Sequence, residues 1–121
     1  MKTILLAEDD NFIIDIYAGQ LRKEGYNVII AKDGQMILDK IKEIWPDLII
    51  LDLNLPKIHG WEVLRILRND PKTQNLKVIV ISNINSKDYP DNFADFKVIR
   101  YFLKIETSVE DMIKAVKEIL K

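Results

Sequence analysis

The chain carries five short apolar runs, each separated from the next by a stretch of helical period, and this rhythm limits the folds open to it. The runs are Thr3–Ala7, Asn27–Ala31, Asp47–Leu51, Lys77–Ile81 and Val98–Leu103. Thr3–Ala7 shows no polar alternation and Asp47–Leu51 is the most evenly apolar, as expected of parallel strands covered on both faces. After the first run, Asp10 or Asn11 can cap a helix whose Ile13, Ile16, Tyr17 and Leu21 share one face, with Gly25 as its stop. A second helix, from about Gly34 to Trp45, aligns Ile37, Ile41 and Ile44 and ends at Pro46. A third, from Trp61 to about Asn69, turns Val63, Leu64 and Leu67 inward before Asn69-Asp70-Pro71 breaks it. The last helix opens on a Thr107-x-x-Glu110 capping box and buries Val109, Met112, Ile113, Val116, Ile119 and Leu120.

The segment Asn83–Lys97 breaks the rhythm. It is polar at its start, contains Pro90, and offers only Phe93, Ala94 and Phe96 as anchors, so we expect a short fourth helix after Pro90, its degree of order left open. Five strands and about five helices in alternation predict an α/β fold with a parallel sheet between two helical layers and right-handed crossovers. At 121 residues the chain fits one domain, residues 1–121.

Composition narrows the function. Eighteen basic against 19 acidic residues give a net charge of −1, which disfavours nucleic acid or an anionic membrane as the main partner. The cysteine count of zero removes disulfides, thiol catalysis and cysteine-bound zinc. No stretch approaches the roughly 20 apolar residues of a membrane span, and the start is too short for a secretory signal. We expect a cytoplasmic location, with no membrane contact.

The chemistry lies at the ends of the apolar runs. Glu8-Asp9-Asp10 follows the first, Asp52 the third, Ser82 the fourth and Lys104 the fifth. In a parallel sheet all of these converge at one edge, where open α/β folds bind ligands. Acids gathered there repel one another unless a cation joins them, and an oxygen-rich cluster suits Mg²⁺. A carboxylate can accept a phosphoryl group if it is positioned and its charge neutralised. Asp52 is the candidate acceptor, Glu8 and Asp9 the metal ligands, Lys104 the cation and Ser82 the hydroxyl.

Leu5-Leu6-Ala7-Glu8-Asp9-Asp10, Leu51-Asp52-Leu53-Asn54-Leu55-Pro56 with Gly60, Val80-Ile81-Ser82 and Tyr101-Phe102-Leu103-Lys104 together resemble the receiver domain of two-component response regulators. The resemblance spans nearly the whole chain. It implies a flavodoxin-like three-layer fold with strand order 2-1-3-4-5, and phosphorylation of Asp52 by a histidine kinase or a histidine phosphotransfer protein. It further implies that Asp9 and Asp52 ligate Mg²⁺ (or Mn²⁺) directly, with Glu8 as companion and Asn54 lending its main-chain carbonyl. Ser82 and Lys104 would contact the phosphoryl group, and Tyr101 would be the aromatic residue that turns with the switch. A downstream protein would then read the face formed by residues 83–121, with the chain a monomer or weak dimer. Such a protein is not an enzyme beyond its own phosphorylation and dephosphorylation. It is expected either to stand alone or to be the receiver part of something longer.

Three departures from the family pattern stand out. Ile105 replaces the proline usual after the lysine, which predicts a trans bond and a slightly displaced Lys104. Asn83 is larger than the usual residue after the switch hydroxyl, and Lys97-Val98 replaces a Gly-Ala pair. They motivate an alternative, a pseudo-receiver that switches without phosphate. A phosphohydrolase of the haloacid-dehalogenase kind is less well matched, because Asp52-Leu53-Asn54 lacks the second acid of its Asp-x-Asp motif. His59 is expected to face solvent, Asp33-Gly34 to form a simple turn, and Trp45 and Trp61 to be half-buried packing residues.

Overall fold

A computed structural model describes all residues, 1–121. Its strands are β1 (Thr3–Ala7), β2 (Asn27–Ala31), β3 (Leu48–Leu51), β4 (Val78–Ser82) and β5 (Arg100–Leu103). Four α-helices accompany them: α1 (Asn11–Lys23), α2 (Gly34–Ile44), α3 (Gly60–Asn69) and α4 (Val109–Ile119). The strands form one parallel sheet in the order β2-β1-β3-β4-β5.

The apolar runs lack polar alternation because successive side chains enter two separate cores. Ile4 and Leu6 of β1, Leu48 and Ile50 of β3, and Ile79 and Ile81 of β4 pack with α1 and α4. Their neighbours Leu5 and Ala7, Ile49 and Leu51, and Val78 and Val80 pack with α2 and α3. Val63, Leu64 and Leu67 are buried as expected, as are Ile37 and Ile41. In α1 the face is rotated slightly: Ile14, Tyr17, Ala18 and Leu21 are buried, while Ile16 is 40% exposed.

Caps set the helix starts. Asp10, not Asn11, caps α1 by accepting from the Phe12 and Ile13 N–H groups. Asp33 is more than a turn residue: its carboxylate accepts from Met36 N and caps α2. The α4 cap is Ser108 with Asp111, one residue later than the sequence suggested. Both frames exist in Thr107-Ser108-Val109-Glu110-Asp111, and the Thr107 hydroxyl is already committed to the Leu103 carbonyl at 2.8 Å. Because one hydroxyl is spent on closing the preceding turn, the next one opens the helix.

The short helix expected after Pro90 is a single 3₁₀ turn, Phe93–Phe96, and not an α-helix. Residues 83–99 cross from β4 to β5 through two 3₁₀ turns, Ser86–Asp88 and Phe93–Phe96. Pro90 divides the segment, and short polar side chains compete for its main chain: Asn85 accepts from Lys87 N. Each half is too short to propagate an α-helix. Aromatic packing holds it instead. Tyr89, Phe93 and Phe96 gather against Trp61 of α3 and Tyr101 of β5, with ring centroids 5.0–6.1 Å apart.

Candidate functional site

Strand register builds the site. Ala7 of β1 pairs with Leu51 of β3, so the next residues, Glu8 and Asp52, emerge side by side at the sheet edge. The Asp52 N–H continues the ladder to the Ala7 carbonyl at 3.0 Å. Ser82 pairs with Leu103 across β4 and β5, and Lys104 follows it. The loop after Asp52 is held tightly: Gly60 N donates to Leu53 O at 2.8 Å, and a Cβ on Gly60 would lie 2.5 Å from the Leu53 Cα. Gly34 sits equally close to Ile58, so glycine at both places is a packing requirement.

Glu8 and Asp52 are buried, at 2% and 5% exposure, and Asp9 is exposed. One carboxylate oxygen from each of Glu8, Asp9 and Asp52 falls within 4.8 Å of the others, a spacing that can hold a metal ion. Glu8 Oε2 accepts from the Asp9 and Asp10 N–H groups at 3.1 and 3.2 Å. Asp52 Oδ1 accepts from Asn54 N at 3.0 Å. Lys104 Nζ donates to Glu8 Oε1 at 2.6 Å and to Asp52 Oδ2 at 2.9 Å. No peptide bond is cis, so the Lys104–Ile105 bond is trans as expected. The lysine is nevertheless not displaced from the acids; a 3₁₀ turn over Lys104–Glu106 redirects the chain without proline.

The charges in this cluster do not balance. Burial pushes the Glu8 carboxyl up, with the Asp52 charge adding to it, while hydrogen bonds from Lys104 and the Asp10 main chain pull back; the net direction is up. Burial pulls the Lys104 ammonium down, but its bonds to Glu8 and Asp52 outweigh this, and it ends above its ordinary value. One ammonium gains from two acids, while each acid has only a share of one cation.

Ser82 is 1% exposed, and its Oγ accepts from Ile84 N at 3.0 Å, which ties the start of the 83–97 segment to the site. Asn83 beside it is exposed. Tyr101 lies outside the acid cluster, within the ring cluster, and its hydroxyl donates to the Phe93 carbonyl at 3.5 Å. Burial, then Tyr89, push its phenol up to about 12 against a pull from Arg68. The structure thus brings Glu8, Asp9, Asp52 and Lys104 together, with the Asn54 main chain bonded to Asp52. Ser82 is in register at the same edge.

Arg68 was not foreseen. Its guanidinium donates to the carbonyls of Phe96 (2.7 Å), Leu76 (2.8 Å), Gln74 (3.0 Å) and Thr73 (3.4 Å), clasping the irregular segment to the end of α3. No local pattern marks such a residue, because all its partners are main-chain groups from other elements. His59 is exposed as expected, and its Nδ1 accepts from Trp61 N at the start of α3. Trp61 is half-buried, but Trp45 is 54% exposed.

Comparison with known proteins places this geometry. The family model of the response regulator receiver domain matches residues 4–117. Response regulator RR06 of Streptococcus pneumoniae serotype 2 (strain D39 / NCTC 7466) is 33% identical over 122 aligned residues, covering 98% of this chain and 52% of RR06. This chain therefore spans about half the length of that relative. Among solved structures, a CheY-like receiver from Methanospirillum hungatei JF-1 superposes with a TM-score of 0.87 at 27% identity, covering 98% of this chain and 92% of that one. The Mn²⁺-bound form of response regulator Rcp1 does so with a TM-score of 0.80 at 29% identity, covering 98% and 91%. With its fold and nearly all of its length matched, the chain belongs to the response regulator receiver domains of two-component systems.

Proposed function

We propose that this receiver accepts a phosphoryl group on Asp52 from a histidine kinase or a histidine phosphotransfer protein. The observation that carries the reading is a buried Asp52 carboxylate flanked by Glu8, Asp9 and Lys104. One lysine cannot neutralise three acids, and hard oxygen donors suit Mg²⁺, with Mn²⁺ as substitute. The Glu8, Asp9 and Asp52 carboxylates and the Asn54 main-chain carbonyl would hold the ion. When bound, it offsets the negative charge of acceptor and incoming phosphoryl oxygens. The Mn²⁺-bound form of the relative Rcp1 is consistent with such a site.

The transfer breaks the phosphorus–nitrogen bond of the donor histidine and makes a phosphorus–oxygen bond at Asp52. Lys104, already on Asp52 Oδ2, pairs with a phosphoryl oxygen, and Ser82 donates its hydroxyl to another. The protein acts on itself and turns over no separate substrate. Phe12 and Ile105, 74% and 81% exposed, lie two residues after Asp10 and one after Lys104 and offer apolar contacts to a protein donor. Output passes through the 83–121 face to a downstream protein, from a monomer or weak dimer in the cytoplasm.

Acetyl phosphate with Mg²⁺ should label the wild type and leave Asp52→Asn unlabelled; no labelling of the wild type, or equal labelling of both, defeats the proposal. The pseudo-receiver reading draws support from Tyr101, which the ring cluster holds on three sides. Beryllofluoride with Mg²⁺ separates the two: amide shifts at Ser82 and Tyr101 favour the phosphorylated switch, and their absence favours the alternative.

A further inference from the structure

We propose that the groove between α2 and α3 binds a small organic anion with an apolar or aromatic body. Both helices run back against the parallel strands, so their C-terminal halves meet at the end of the sheet opposite Asp52. Between them lies a hollow of about 530 Å³, walled by Leu38 and Ile41 on one side, Ile66 and Leu67 on the other, and the Trp45 indole. Small-molecule sites are usually hollows of roughly 300–1,000 Å³ with mainly apolar walls.

Trp45 is the unusual residue. It ends α2 in the left-handed region, at φ 44° and ψ 79°, immediately before Pro46. A bulky aromatic residue is strained there, and a following proline disfavours helical backbone further. Glycine is the ordinary solution at such an end, and Gly25 supplies it after α1 at φ 94°. Trp45 is also more than half exposed, so core burial does not account for the indole. A strained residue held in place points toward use rather than packing.

Charge selects the class of ligand. Lys42 and Lys72 line the groove, are exposed, and take part in none of the chain's ion pairs. Lys42 also answers the negative end of α2, and Lys72 lies just beyond the end of α3. Asp70 is the only acid lining the groove, and its Oδ1 already accepts from the Lys72 N–H at 2.9 Å. The Thr73 hydroxyl is spent on the Leu67 carbonyl at 2.6 Å. What remains is the exposed Trp45 side chain and two ammonium groups, which suit a ligand with a flat or aliphatic body and an anionic head.

The aromatic sulfonate 1-anilinonaphthalene-8-sulfonate is a probe of this class, and uncharged N-phenyl-1-naphthylamine is its control. Titrated into the full chain, the sulfonate should bind saturably, with amide shifts confined to residues 38–45 and 66–73 and to the Trp45 indole. Trp45→Gly should weaken it about ten-fold without lowering the melting temperature, because glycine relieves the backbone. The exposed pair Lys42→Ala and Lys72→Ala should each weaken the sulfonate about three-fold and leave the uncharged control unchanged. Shifts outside the groove, unsaturable binding, or variants that bind like the wild type overturn the proposal.

Discussion

At the scale of single residues, Lys104 carries the largest consequences. Its ammonium is the only cation bonded to two buried carboxylates. Removing one partner of a buried pair leaves the others desolvated and unpaired, which outweighs the contact itself. Lys104→Met should lower stability by about 3 kcal/mol in urea denaturation at neutral pH without divalent cations. Tyr101 gives a second test. Its phenol sits near 12 in the folded chain against an ordinary 10.0, so the folded state holds that proton more tightly. Its contribution is complete below pH 10 and is lost as pH rises toward 12, so stability falls across that window. Tyr101→Phe should flatten the fall and remove the highest step from the tyrosine absorbance titration.

At the scale of elements, the decisive one is the crossing from β4 to β5. Apart from Ile99 N, which donates to Val78 O of β4 where β5 is about to begin, its main-chain bonds join residues three apart within the segment, such as Tyr89 N to Ser86 O and Phe93 N to Pro90 O. It is fastened to the body by side chains: Ser82 through Ile84, Arg68 through Phe96, Tyr101 through Phe93, and the rings around Trp61. Trp61→Ala should cost about 2 kcal/mol, discounted from a fully buried ring because Trp61 is half-buried. Hydrogen exchange should show residues 84–97 losing protection while β1 and β3 keep theirs. Equal loss across the sheet would mean that the clasp belongs to the global fold. This segment also shows where the sequence was hard to read. Phe93 and Phe96 were recognisable as anchors, but neither Arg68 nor Trp61 lies near them in sequence.

At the scale of the molecule, the balance of the acid cluster links ligand to stability. An ion that binds only the folded chain stabilises it by about 1.4 kcal/mol at ten times its dissociation constant. For a domain of this length, that is a rise of about 5 °C in melting temperature. Mg²⁺ should produce it and chelation reverse it, with the rise abolished in Asp9→Asn; an equal rise in that variant would place the ion elsewhere.

The sequence by itself determined the alternation of strands and helices, the two-sided burial of the sheet, and the delivery of Glu8, Asp52, Ser82 and Lys104 to strand ends. Those are properties of local period and of residues adjacent in the chain. It also left two capping frames open before α4, and only the Thr107 bond to Leu103 chose between them. The tertiary structure alone decided that Lys104 reaches both acids over a trans bond and that a ring clasp holds the segment after Pro90, whose helix is only a 3₁₀ turn. It alone left Trp45 standing in a groove. Each depends on side chains from distant elements meeting in space, and one-dimensional spacing does not carry that information.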